Sequence, residues 1–234
     1  MNVRKICGGQ TEPPRLPKIA MTTPITTLPT SPEHSHDRTF ERLLAERMAQ
    51  LPERLEAAGV RVRDGGVEAD ASLRTSNPAV YAAGDVAFPE KYTHAAMATA
   101  RLCVANAMDG AGRPARDLVI PHCTYTDPEV ATVGLTPVRA AEEGVALDTH
   151  RLELSKVERA FIDGEEEGFA ALYTRKGTGE IVGATLVAAH AGEMISELTL
   201  AITNKLPMKA LAETVHCYPT QAEVFQRIAL AYGK

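Results

Sequence analysis

The sequence predicts an α+β fold, an antiparallel sheet with helices packed on one side, behind a disordered N-terminal tail. Three observations carry this reading. Residues 1–36 are dense in Pro and Thr and show no sustained apolar period. Five apolar, β-branched runs crowd into residues 119–190, broken by turn residues. Helical periodicity then takes over from residue 191 to the C-terminus. Strands and helices segregated in this way favour a sheet covered on one face over an alternating βα architecture.

Composition bounds the function classes. The 234 residues allow one large domain or two small ones, with mass enough for a core. An apolar content of 44% and a charged content of 24% are those of a soluble globular protein. The formal charge of −5 argues against nucleic acid or an anionic membrane as partner. No apolar run is long enough to suggest a membrane span. "MNVRKICGGQ" is basic but no apolar stretch follows it, so a secretory signal is not expected. Cys7, Cys103, Cys123 and Cys217 stand alone, without a CxxC pair. They read as reduced thiols of a cytoplasmic protein. His34 and His36 form an HxH in the polar tail, which reads as solvated, and no metal site is expected.

The elements follow in order. The tail, 1–36, is expected to be extended and solvated, because proline fixes φ and removes a donor. From 39 to 58, Phe40, Leu43, Leu44, Met48, Leu51 and Leu55 fall at helical spacing, with Pro52 dividing the helix and Gly59 ending it. "VRVRDGGVEADASLRT" predicts two short strands about a DGG turn. "AVYAA", 79–83, reads as a buried strand stopping at Gly84–Asp85, and residues 92–110 as a helix rich in small residues. Composition shifts near Arg113–Leu118, which divides residues 37–113 from a second domain, 114–234. There, "TPVRAAEEG" predicts a short helix capped by Thr136 with Pro137 in its first turn. "RKGTGE" predicts a hairpin turn, and helices are expected at 191–204, 207–213 and 221–233. Thr220 with Glu223 three residues on matches a capping box for the last.

Two places carry chemistry. A strand ending in a small residue and a carboxylate often holds a ligand at a sheet's C-terminal edge. Gly84 would admit a close approach to the backbone, and Asp85 would accept hydrogen bonds from two hydroxyls of a sugar-like chain. The same pair also reads as a plain turn in which Asp85 caps the next amide. The helix after it starts near Thr93, and helix N-termini suit partial negative charge. The second place is "ETVHCYPTQAEVFQRIAL", 213–230, with His216, Cys217, Tyr218 and Glu223. It reads either as an acid–base pair or as the start of a capped terminal helix.

"TSNPAVYAAGDVA" resembles the second flavin-binding motif of the pyridine-nucleotide-disulfide oxidoreductases. "TYTDPEVATVGLT", "ERAFIDGEEEGFAALYTRKGTGEIVGATLVAAHAGEMISELTLAI" and "HCYPTQAE" resemble their C-terminal dimerisation domain. The four motifs stand in the family's order between Gly59 and Lys234, and the nearest likeness is to mercuric reductases and their relatives. The resemblance implies a partial FAD-binding segment at 37–113 and a dimerisation domain at 114–234. It implies that Asp85, beside Gly84, binds the ribityl hydroxyls of FAD. It also implies that His94 and Ala95 bring backbone amides to the flavin ring, with His94 a backbone-contact or packing residue rather than an acid or base. Many members place a histidine directly before the proline and a glutamate five residues after that histidine, and the histidine shuttles a proton to the other subunit's thiols. Here Tyr218 precedes Pro219, Glu223 keeps the spacing, and His216 lies two positions earlier. Mercuric reductases resemble this tyrosine pattern. Tyr218 is therefore the expected site residue, Glu223 its support and helix cap, and His216 and Cys217 secondary candidates. A phenol, with a pKa of about 10, is a poor base at neutral pH but donates a hydrogen bond or helps pass a soft metal ion. The Tyr218–Pro219 bond is expected to be cis, since a tight turn must aim the ring.

The departures from the family are as informative. The chain has no GxGxxG, no CxxxxC redox pair, and no second glycine-rich loop for NAD(P)H, and it ends "AYGK" without vicinal cysteines. The FAD site is then incomplete and NAD(P)H belongs only to a full-length member. The chain reads as the C-terminal part of an FAD-dependent NAD(P)H oxidoreductase, inactive alone, forming a homodimer through its C-terminal domain. Two other readings stay open: a non-catalytic interaction module that pairs with a full-length subunit, or one half of a split reductase.

Overall fold

The computed structural model describes residues 50 and 53–232. The expected tail and most of the helix expected at 39–58 lie outside the described residues. The chain divides after Ala115 into two compact units.

In the N-terminal unit, helical residues 53–57 end at Gly59, whose φ of 74° lets its amide turn back to the Glu56 carbonyl at 2.8 Å. Strands β1 (Val62–Arg63) and β2 (Gly66–Val67) pair antiparallel about the DGG turn, as the sequence predicts. "AVYAA" is not a strand. Residues 79–83 contribute one isolated bridge, Arg74 to Tyr81, with flanking bonds from the Ala82 amide to Leu73 and from the Thr75 amide to Val80. A buried strand needs ladder partners along its length, and here the neighbouring chain pairs only around Arg74. A 3₁₀ turn, Gly84–Val86, follows, then helix α1 (Thr93–Asp109), which ends at Gly110 with a φ of 63°. Helix α1 buries Ala95, Thr99, Leu102, Cys103 and Asn106, one face of a 3.6-residue period. Buried Asn106 accepts from the Arg113 amide at 2.9 Å and donates to the Ser72 and Arg113 carbonyls at 3.0 and 2.9 Å. This ties the end of the unit back to its loops.

The C-terminal unit runs β3 (His122–Thr124), β4 (Glu129–Gly134), α2 (Pro137–Glu142), β5 (Leu147–Glu153), α3 (Glu158–Asp163), β6 (Phe169–Arg175), β7 (Ile181–Ala188), α4 (Ala191–Thr203), α5 (Met208–Glu213) and α6 (Glu223–Tyr232). The strands form one antiparallel sheet in the order β3-β4-β7-β6-β5. Thr136 accepts from the Arg139 amide at 3.4 Å and Pro137 opens α2, as expected.

Strand alternation decides which face is covered. Ala131 and Val133 of β4, Ala184 and Leu186 of β7, and Ala170 and Leu172 of β6 point one way, into a core shared with Ile195 and Leu198 of α4 and Phe225 and Ile228 of α6. Each of the valine, leucine, isoleucine and phenylalanine side chains stabilises the fold by about 1.5–3 kcal/mol when fully buried, and each alanine methyl by about 0.8 kcal/mol. Val130, Thr132, Thr185, Val187 and Phe169 alternate to the opposite face and lie outside that core. The helices therefore pack on one side of the sheet, as the sequence predicts. Where β4 leaves the sheet its backbone crosses Gly183, and a Cβ there would stand 1.9 Å from the Leu135 carbonyl oxygen. Only glycine admits so close an approach.

The capping box does not form. Helix α6 begins at Glu223, and its first turn is closed by the Val224 and Phe225 amides on the Gln221 and Ala222 carbonyls, each at 3.1 Å. The Thr220 hydroxyl donates to the Cys217 carbonyl at 2.7 Å, closing the preceding turn. A local hydroxyl-to-backbone bond competes with capping, and here it wins.

Candidate functional site

In the N-terminal unit, Gly84 takes a φ of 70°, and a Cβ on it would lie 3.0 Å from that of Ala96. Its amide donates to the Thr99 hydroxyl at 3.0 Å, so α1 holds the turn from beneath. Asp85 is exposed. Lys91 Nζ donates to the Asp85 backbone carbonyl and, at 2.9 Å, to that of Phe88, which leaves the Asp85 carboxylate outside this clamp. Ala95 is wholly buried in the first turn of α1, whereas His94 is exposed with its ring stacked on Tyr92 at 5.3 Å. Tyr92, the residue before the helix, makes no side-chain capping bond, and no acidic residue stands in the first turn. The result is an exposed carboxylate on a glycine turn beside a helix N-terminus without side-chain cap. That chemistry fits a hydroxylated chain and an electron-rich edge.

In the C-terminal unit, the segment from Thr214 to Gln221 is tied down at four points. His216 Nε2 lies 2.9 Å from Glu197 Oε1 and its Nδ1 lies 3.2 Å from the Thr214 carbonyl. The Gln226 side-chain amide donates to the same carbonyl at 2.6 Å. Thr220 closes the turn on Cys217. Gln221, 6% exposed, donates from Nε2 to Glu165 Oε2 at 2.8 Å. Between these ties Tyr218 projects with 73% of its surface exposed, on a Tyr218–Pro219 bond that is cis as the sequence predicts.

His216 keeps only 7% of its side chain exposed, and both ring nitrogens face oxygens of the fold, so it serves as a strap on this loop. Cys217 is an exposed free thiol. By contrast, burial pushes the Cys103 thiol above its ordinary pKa, and burial with the Glu129 carboxylate does the same to Cys123. Glu223 starts α6 half-buried, with Oε2 buried and without a hydrogen-bond partner. His216, Cys217 and Tyr218 thus share one turn, with Glu223 opening the helix after it, and a cleft of about 460 Å³ opens beside the turn, lined by Leu200, Leu211, Val215, His216, Cys217 and Ala222 among others. Glu197, Glu165 and Gln226 were not singled out from the sequence.

The profile described as "Pyridine nucleotide-disulphide oxidoreductase, dimerisation domain" matches residues 120–229. The profile described as "Pyridine nucleotide-disulphide oxidoreductase" matches residues 48–101. The chain belongs to the pyridine nucleotide-disulphide oxidoreductase family. Mercuric reductase of Streptomyces lividans is 38% identical over 179 residues, which are 76% of this chain and 38% of that protein. Dihydrolipoyl dehydrogenase of Bacillus subtilis (strain 168) is 35% identical over 176 residues, 75% of this chain and 37% of that protein. Among solved structures, LpdA from Mycobacterium tuberculosis superposes with a TM-score of 0.71 at 27% identity, covering 76% of this chain and 39% of that one. The chain spans under two fifths of the length of these oxidoreductases. No helix among the described residues is long and apolar enough to cross a membrane.

Proposed function

We propose that this chain supplies the self-association half of an FAD-dependent NAD(P)H oxidoreductase resembling mercuric reductase, pairing two copies and presenting Tyr218 across the interface between them. The observation that carries the proposal is the four-fold anchored turn on which Tyr218 stands 73% exposed, beside exposed Val215 and Cys217. A side chain held at 73% exposure on a fixed backbone is arranged for something outside its own unit. The sheet face away from the helices, with Val130, Val187, Thr132 and Thr185 and with the Phe169 ring under the Arg151 guanidinium at 3.6 Å, is the surface offered to a second copy. In this reading residues 37–113 are a partial FAD-binding segment, 114–234 the dimerisation domain, and the protein a cytoplasmic homodimer.

A bound flavin would supply the electron relay between a nicotinamide and the acceptor. The chain's own residues do the rest of the work available to them. Asp85 would accept hydrogen bonds from the ribityl hydroxyls, with Gly84 leaving room for the approach. The start of α1, at His94 and Ala95, would set backbone dipoles against the electron-rich edge of the ring. Tyr218 would act as a hydrogen-bond donor, or help pass a soft metal ion, rather than as a base. Glu223 keeps the five-residue spacing from Tyr218 and would be its supporting carboxylate. The sequence carries neither GxGxxG nor CxxxxC, and in this reading the chain does not turn over by itself. The test is NADPH and NADH oxidation by the purified chain with added FAD and either mercuric ion or an oxidised dithiol. No turnover from a self-associated protein supports the proposal, and FAD-dependent turnover overturns it.

A further inference from the structure

We propose that Gln221 and Glu165 form a brace that positions Tyr218, a role separate from stabilising the fold. This rests on the reading of Tyr218 as the residue presented to the partner. Glu165 follows α3 directly, where Gly164 with a φ of 73° closes the helix and the Glu165 amide returns to the Ala160 carbonyl at 2.8 Å. Its carboxylate is thereby fixed beside α4, with His190 Nε2 3.7 Å away, and it receives the Gln221 amide at 2.8 Å. Gln221 is three residues from Tyr218, and the intervening turn is closed by Thr220 on Cys217. On the far side, the Gln221 carbonyl accepts an amide from the first turn of α6, that of Val224. Gln221 is therefore the joint between a helix docked in the core and the turn that carries the phenol.

The chemistry of the joint points away from a packing role. Gln221 Oε1 is buried without a hydrogen-bond partner. Its amide cannot be turned over to satisfy that oxygen, because the oxygen would then face the Glu165 carboxylate. A buried acceptor without a donor disfavours the folded state, and a leucine of similar volume would carry no such penalty. What the glutamine adds is direction: one bond to a carboxylate that sets where the turn points.

Tyr218 can be observed directly by ¹⁹F NMR of the full chain labelled with 3-fluorotyrosine, which has six tyrosines, the Tyr218 line being assigned by Tyr218→Phe. In Gln221→Leu the Tyr218 line should shift and broaden while the other five stay in place, and the melting midpoint should be no lower than that of the parent. Glu165→Ala, at a partly exposed position, should reproduce that change. The double variant should add nothing further, and Glu165→Gln should restore the parent line. An unmoved Tyr218 line in Gln221→Leu and Glu165→Ala overturns the brace. So does movement of all six lines together with a lower midpoint, which is the mark of general loosening. The readout needs neither flavin nor partner, so a chain that fails to self-associate would sink the functional reading and leave the brace standing.

Discussion

Truncating Phe225 to alanine tests whether helix α6 is the element that holds the Tyr218 turn against the sheet. The ring is wholly buried in the core, next to Val224 at 0% exposure and Ile228 at 4%. Phe→Ala changes at such sites cost about 3–5 kcal/mol, from lost transfer energy and the cavity left behind. A natural domain has only about 5–15 kcal/mol in total, so the variant loses a large share of it. At about 4 °C per kcal/mol for a unit of this size, the midpoint should fall by roughly 12–20 °C. Because the first turn of α6 closes on the Gln221 carbonyl, the amides around Tyr218 should also lose protection from hydrogen exchange. Calorimetry with hydrogen exchange measures both, and Tyr218→Phe, which deletes an exposed hydroxyl, should change stability by under about 0.5 kcal/mol. A Phe225→Ala midpoint within about 4 °C of the parent would refute the packing of α6 described above.

Gly183→Ala should be costly for a different reason, since its Cβ would sit 1.9 Å from the Leu135 carbonyl and force apart the Leu135 amide bond to Val182, now 2.9 Å. A loss of about 2–4 kcal/mol is expected from strain plus one broken hydrogen bond, read from a urea midpoint, and a loss under about 1 kcal/mol would contradict it. Burial pushes the His150 pKa down, against a smaller opposing effect of Asp148, while its Nε2 meets the Thr174 hydroxyl at 3.0 Å and its ring meets Tyr232 edge-on. Its contribution to stability is therefore complete above the unfolded value of about 6.5 and declines as pH falls through the lower folded value. His150→Asn should flatten the stability–pH profile in that window, and an unchanged slope would count against it. Maleimide should label exposed Cys217 well before Cys123 and buried Cys103, and mass-mapped labelling in any other order would contradict the thiol environments described.

Local patterns were legible and distant pairings were not. The alternation of Ala131 and Val133, or of Ala184 and Leu186, is visible in the chain and predicts both strand and buried face. Thr136–Pro137 and the DGG turn are local chemistry and formed as written. "AVYAA" has the composition of a buried strand, but strand formation needs a neighbouring ladder, which composition does not report. Thr220 and Glu223 match a capping pattern, yet the same hydroxyl had the Cys217 carbonyl within reach. The contacts that shape the Tyr218 turn join residues 19 and 56 positions apart, His216 with Glu197 and Gln221 with Glu165. Neither pair falls within the window of about 11–18 residues over which periodicity is read. His216, a candidate chemical group beside the tyrosine, is held by Glu197 and by the Thr214 carbonyl.

The measurement that tests the central claim most directly is the solution mass of the purified chain by sedimentation equilibrium over a range of concentrations. The account predicts a species of twice 25.1 kDa that survives dilution into the low-micromolar range. A mass of 25.1 kDa at every concentration would contradict it.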